Sequence, residues 1–134
     1  MKDQKVVITG GLGFIGSHLA ERLVNANEVT VLDDLSTGKW ENVRHLLAAG
    51  LRVIEGSITA PDLAKTFEGH DYVFHLAALP SVPRSIADPR ASHEVNVNGT
   101  MNVLMAARDT GIKKVVFASS SSVYGDTPVL PKIE

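Results

Sequence analysis

Five apolar runs of strand length recur along the chain, at Lys5–Thr9, Glu28–Leu32, Leu51–Glu55, Asp71–Leu76 and Lys113–Ala118, each rich in Val, Ile or Phe. Runs this uniformly apolar predict strands buried on both faces. Between them the period changes. Ile15, Leu19 and Leu23 follow one another at four-residue spacing, a second stretch runs from Val43 to Leu47, a short one follows Pro61, and a long one ends near Thr110-Gly111. Four-residue spacing stacks side chains on one face of a helix. Strand and helix therefore alternate as βαβαβαβαβ, which predicts an α/β fold with a doubly wound parallel sheet of about five strands and right-handed crossovers. The stretch from Pro80 to Pro89 predicts a loop leading into the fourth helix. With no repeat, low-complexity tract or linker, residues 1–134 are expected to form one domain.

Composition then narrows the chemistry. The chain is 44% hydrophobic and 21% charged, as ordinary globular proteins are, and no apolar run approaches the roughly 20 residues that cross a bilayer. Its net charge is -2, with Lys and Arg scattered, so no basic footprint for nucleic acid or anionic lipid is present and a small ligand is the expected partner. The absence of cysteine excludes a disulfide and a thiolate metal site, and no metal is expected. Met1 leads straight into a strand-like run without a signal-like segment, which predicts a cytoplasmic protein.

Gly10, Gly13 and Gly16 stand directly after the first strand and open the first helix. In that context a glycine pattern has a mechanism: Gly10 permits the tight turn, Gly13 lets the backbone approach a pyrophosphate, and Gly16 allows close helix–strand contact. The helix start adds free N–H groups and positive potential. A nucleoside-triphosphate loop is disfavoured, because Ser17-His18 follows where that motif needs Lys-Ser/Thr. The second strand ends Val31-Leu32-Asp33-Asp34, putting a carboxylate about 20 residues past the turn, where an adenosine ribose would lie. Asp33 could accept from both ribose hydroxyls, and its charge would repel a 2′-phosphate, so NAD is favoured over NADP. A plain turn-forming or capping role stays open for Asp33, and more so for Asp34.

With Thr9-Gly10-Gly11-Leu12-Gly13-Phe14-Ile15-Gly16 followed by Val31-Leu32-Asp33-Asp34-Leu35-Ser36-Thr37-Gly38, the sequence resembles the extended short-chain dehydrogenase/reductase family, and within it the UDP-sugar 4-epimerases. Further matches are His75-Leu76-Ala77-Ala78, Ser81-Val82-Pro83-Arg84-Ser85, Asn96-Val97-Asn98-Gly99-Thr100, and Ala118-Ser119-Ser120-Ser121-Ser122-Val123-Tyr124-Gly125. The resemblance implies a Rossmann-type fold binding NAD across the carboxyl ends of the strands, with contacts from Gly13, Phe14, Ile15, Leu76, Ala77 and Ala78, and with Asn96 bracing the site. After the third strand the family usually has an aspartate facing the adenine; here Ser57, followed by Ile58, takes that place, and a serine can still accept a hydrogen bond. Ser120 matches the family residue whose hydroxyl acts on the sugar, although the residues alone read Ser119–Ser122 as a polar strand exit with hydroxyls capping a turn. Ser121 and Ser122 stand where sugar-nucleotide 4,6-dehydratases carry an Asp-Glu pair, which favours epimerisation over dehydration.

His75 reads as a hydrogen-bonded structural residue rather than an acid–base group, and Arg84 either meets a UDP phosphate or solvates its loop. The family's catalytic tyrosine is paired with a lysine four residues on. Tyr124 is followed at that spacing by Pro128, and no Tyr-x-x-x-Lys occurs in the 134 residues. The resemblance places that pair, and a sugar-binding region, beyond Pro131-Lys132-Ile133-Glu134. The chain is thus expected to be the front part of an NAD-dependent UDP-hexose 4-epimerase, inactive by itself, whose parent acts on a UDP-sugar as a homodimer. A UDP-sugar decarboxylase or dehydratase of the same family, and a non-catalytic NAD-binding module, are the alternatives.

Overall fold

A computed structural model describes residues 1–125 and residue 131; the remainder, Pro128 included, lies outside the described residues. Five strands form one parallel sheet: β1 (Lys5–Thr9), β2 (Glu28–Asp33), β3 (Arg52–Glu55), β4 (Tyr72–His75) and β5 (Lys114–Phe117), in the order β3-β2-β1-β4-β5. The central strand pairs on both sides, Ile8 aligning with Val31 of β2 and with Phe74 of β4. The chain winds outward from β1 in one direction to β3, then crosses to β4 and β5 on the other side. That reversal leaves a crevice at the carboxyl ends of the strands beside β1.

Strand alternation splits the core between the two faces of the sheet. Val6, Ile8, Val29 and Val31 point to one face and pack under α1 (Phe14–Val24) and the 3-10 turns at Trp40–Asn42 and Arg44–Ala49. Val7, Leu32 and Val73 point to the other, where α2 (Leu63–Phe67) and α5 (Thr100–Asp109) cover them with Leu63, Phe67, Val103 and Ala106. Fully burying a side chain as large as that of Phe67 contributes about 1.5–3 kcal/mol.

Two expectations from the pattern are corrected. β3 and β5 are the sheet edges, so Arg52, Val116 and Phe117 are partly or largely exposed rather than buried on both faces. On α1, Gly16, Ser17, Ala20 and Val24 are buried; of the four-residue stripe, Leu19 and Leu23 pack at the edge of the core and Ile15 is 64% exposed. The helix lies so close to the turn that only small residues fit beneath it. A Cβ on Gly16 would come within 2.3 Å of the Gly10 carbonyl oxygen.

The stretch Pro80–Pro89 is not a loop but holds α3 (Val82–Ala87), and Pro89 opens α4 (Pro89–His93). Pro83 and Pro89 sit in first turns, where no intrahelical donor is needed, and Ser81 and Asp88 cap the N–H groups of Arg84 and Ala91. From α4 the helix continues through a π-helical turn, Glu94–Gly99, into α5. The π turn puts Gly99 against Ile58, whose side chain a Cβ there would meet at 2.6 Å.

Candidate functional site

Where the chain crosses from β3 back to β4, a cleft of about 340 Å³ opens at the carboxyl ends of β1, β2 and β4. Its floor is the turn between β1 and α1. Gly10, at φ +71°, bends the chain where a Cβ would lie 2.7 Å from the Ala77 nitrogen, and its N–H donates to Leu32. Gly13 differs: a Cβ there would meet only the Gly10 carbonyl oxygen, at 3.2 Å. Packing therefore demands glycine at 10 and 16, while at 13 an added Cβ asks only that the Gly10 carbonyl give by a few tenths of an ångström. The first intrahelical bond runs from Ser17 to Gly13, so the N–H groups of Phe14, Ile15 and Gly16 have no partner among the described residues. With the helix dipole behind them they form an anion-binding end, and α1 has 11 residues to supply that dipole.

The turn is gripped from outside through a single residue, Leu12. The Leu12 N–H donates to one Asp33 carboxylate oxygen at 3.0 Å, and the Leu12 carbonyl accepts from the Lys39 N–H at 3.1 Å and the Asn42 Nδ2 at 2.7 Å. The other Asp33 oxygen accepts from the Leu35 N–H at 2.9 Å, holding Leu35 at φ +60°, a left-handed conformation that costs a non-glycine residue about 1–2 kcal/mol. Gly38 lies against the same carboxylate: a Cβ there would fall 2.5 Å from its oxygen. Asp33 is 8% exposed and faces the cleft with its two oxygens each holding one N–H and lone pairs to spare. Asp34 lines the same cleft while its carboxylate closes a turn onto Ser36.

The residues singled out from the sequence divide into three groups. Gly10, Gly13, Phe14, Ile15, Gly16, Asp33, Ile58, Leu76, Ala77 and Ala78 all line the cleft. Ser57 and Asn96 stand behind its lining. The Ser57 hydroxyl bonds Thr59, and it is Gly56 and Ile58 that face the opening; Asn96 bonds both the N–H (2.8 Å) and carbonyl (3.2 Å) of Leu79, a lining residue. Ser120 lies one residue past the lining residue Ser119, and its Oγ accepts the Ser122 N–H at 3.1 Å, capping the 3-10 turn Ser121–Tyr124. Arg84, in α3, is exposed and has no ion pair among the described residues.

His75 is buried (1% exposed), with Thr9 Oγ1 2.7 Å from Nδ1 and Thr100 Oγ1 3.0 Å from Nε2. Burial pushes its pKa down to about 4, so the ring is neutral at pH 7. Sequence reasoning gave no site role to Ser36, Thr37, Leu79, Pro80, Val95 and Ser119, which also line the cleft, or to Asn42, which holds the glycine turn from 30 residues away. The strand-end residues were findable from the rule that ligands lie at carboxyl ends of parallel strands. Asn42 carried no such signal.

A parallel sheet with its switch point beside β1, a glycine turn feeding a helix N-terminus and an acid ending β2 define a Rossmann-type α/β domain. The model of the NAD dependent epimerase/dehydratase family matches residues 6–134, and the chain belongs to that family. It is 39% identical to a UDP-glucose 4-epimerase of Streptomyces lividans over 97% of this chain and 40% of that protein. It is 37% identical to UDP-glucuronic acid decarboxylase 1 of Xenopus tropicalis over 99% of this chain and 31% of that protein. Among solved structures, a UDP-N-acetylglucosamine 4-epimerase from Methanobrevibacter ruminantium, in complex with UDP-N-acetylmuramic acid, superposes with a TM-score of 0.93 at 46% identity, over 100% of this chain and 43% of that one. The chain thus spans about two fifths or less of the length of these relatives.

Proposed function

We propose that this chain binds NAD in the cleft and forms the dinucleotide-binding part of a UDP-hexose 4-epimerase. The observation that carries the reading is the pairing, across one cleft, of the unpartnered N–H groups of Phe14, Ile15 and Gly16 with the Asp33 carboxylate. The residues fit the cofactor. Gly13 leaves space where a pyrophosphate would approach the backbone, the helix N-terminus would bind its oxygens, and Asp33 would accept from the adenosine ribose while repelling a 2′-phosphate. Leu76, Ala77 and Ala78 would flank the dinucleotide on the β4 side, with Ile58 near the adenine and Asn96 and Ser57 acting from behind the lining.

NAD held in the cleft would supply a hydride acceptor and donor for C4 of the hexose, chemistry that needs no net oxidant. In this reading Ser120 donates its hydroxyl proton to the sugar oxygen. Its Oγ already accepts the Ser122 N–H, and its own proton has no partner among the described residues. The sugar hydroxyl also requires a general base. The Tyr-x-x-x-Lys pair that the family uses for this is not in the sequence, so these 134 residues alone are proposed to be inactive.

Epimerisation is preferred to elimination because Ser121 and Ser122 offer no carboxylate. Titration of the purified chain with NAD and NADP, beside an assay with UDP-glucose, UDP-galactose and their N-acetyl forms, tests both halves. NAD binding without turnover is expected. Turnover by these residues alone would show that the base has been misplaced, and product analysis on a protein carrying the tyrosine and lysine separates epimerase from decarboxylase or dehydratase.

A further inference from the structure

The buried histidine sits between two hydroxyls that both lead to the cleft wall, and the direction of every hydrogen bond in the series can be deduced. Thr100 Oγ1 lies 2.8 Å from the Asn96 carbonyl oxygen, an acceptor only, so the threonine proton is spent there. Toward the ring Thr100 can then only accept, which puts a proton on His75 Nε2. A neutral ring with that proton leaves Nδ1 an acceptor, so the Thr9 hydroxyl donates to it at 2.7 Å. The lone pairs of Thr9 Oγ1 in turn face the N–H groups of Leu76 and Ala77, both at 3.3 Å.

We propose that His75 is a positioning residue which, carrying its proton on Nε2, joins Thr9 to Thr100 in a directed relay that fixes the cleft wall from Leu76 to Leu79. One end of the relay is the Leu76–Ala77 backbone. The other passes through the π turn to Asn96, whose side chain holds Leu79 by both its N–H and its carbonyl. The His75 carbonyl accepts the Ala118 N–H at 3.1 Å, so a third lining segment hangs on the same residue. A proton added to Nδ1 would turn it toward an oxygen already facing two N–H groups and would leave the Thr9 proton without an acceptor. Burial without a charged neighbour keeps the ring neutral and the relay intact. Any buried neutral imidazole needs a partner for each nitrogen; what sets this one apart is that both partners lead on to the cleft wall.

The inference rests on the cleft being the NAD site, and its test reads the wiring and the binding separately. Nitrogen-15 NMR of the chain should find the His75 ring as the Nε2–H tautomer from pH 8 to about pH 5, and the Leu79 amide should exchange slowly. Thr100→Val keeps the shape of the side chain and removes both of its hydrogen bonds. It should release the Leu79 amide to faster exchange and weaken NAD binding by about tenfold, and Thr100→Ser should restore both. An Nδ1–H ring in the wild type overturns the proposal, whether or not the valine variant folds. So does a folded valine variant with wild-type Leu79 exchange and wild-type NAD affinity. Should the wild type fail to bind NAD, the proposed function falls, while the tautomer and the Leu79 exchange still decide the relay.

Discussion

Two side chains concentrate the physics of the site, and each makes a measurable claim. Asp33 was legible in the sequence as a carboxylate ending β2, but its second task was not: it is the acceptor that holds the Leu12 and Leu35 N–H groups. Asp33→Asn keeps the size and supplies only one carbonyl oxygen, leaving one buried N–H facing an amide donor. A loss of about 1–3 kcal/mol in urea unfolding is expected, with weaker NAD binding and a narrowed preference over NADP. Unchanged stability would mean that the Leu12 contact is not doing structural service. His75 gives a pH dependence whose sign follows from its depressed pKa. The unfolded chain takes up a proton near pH 6.5 that the folded chain refuses until about pH 4. Stability is therefore complete above pH 6.5 and declines as pH falls toward 4, by at most about 3 kcal/mol. Urea midpoints across that window, compared with His75→Gln, check this; the variant should lose the decline. Asp71 and Asp109, held below the usual carboxylate range by hydrogen bonds from Lys113 and Arg108, keep their contribution above the ordinary carboxylate value and lose it as pH falls below, so they do not mask the histidine.

At the scale of elements, the order of strands and helices was readable because burial on both faces leaves a run of Val and Ile that nothing else produces. What the pattern misjudged was which residues touch. The pattern carried no sign that the approach of α1 to Gly10 and Gly11 leaves no room for a side chain at Gly16, with Leu19 and Leu23 packed at the flanks. It took the prolines after β4 for breakers, although capped first turns accommodate them. Edge exposure of β3 and β5 depends on strand order, which no single strand encodes. The glycine turn offers a sharp contrast between neighbours on one element. Gly16→Ala would drive a methyl into backbone at 2.3 Å, so it should unfold the chain or strongly lower its thermal midpoint. Asn42→Ala, removing the 2.7 Å bond to Leu12, should leave the sheet intact and weaken NAD binding several-fold, by the loss of about 1 kcal/mol of support for the turn. Circular dichroism beside NAD titration separates the two outcomes.

For the molecule as a whole, the cleft belongs to residues far apart in sequence, brought together because the sheet reverses its winding at β1. The glycine turn, the acid after β2 and the Leu76–Ala78 segment carried enough sequence signal to be found separately, while the lining by Val95 and Pro80 required the fold. Among the described residues no helix is long and apolar enough to cross a membrane, and no group of histidine, aspartate and glutamate side chains is placed to hold a metal ion. Val97, Met101, Leu104 and Met105 stand exposed along the outer side of the long helix, and Phe117 along the β5 edge. A folded chain is therefore expected to associate as its concentration rises, which sedimentation would detect. The central claim, that the glycine turn holds a dinucleotide, is tested most directly by titrating NAD into the wild type and Gly13→Ala. Among the described residues an added Cβ at 13 meets one atom, the Gly10 carbonyl oxygen at 3.2 Å, which a shift of a few tenths of an ångström relieves, yet it would occupy the approach to the pyrophosphate. The account predicts saturable NAD binding by the wild type, and a Gly13→Ala chain with a native circular dichroism spectrum and no detectable NAD binding. A folded wild type that does not bind NAD, or a folded Gly13→Ala chain that binds it equally well, would contradict it.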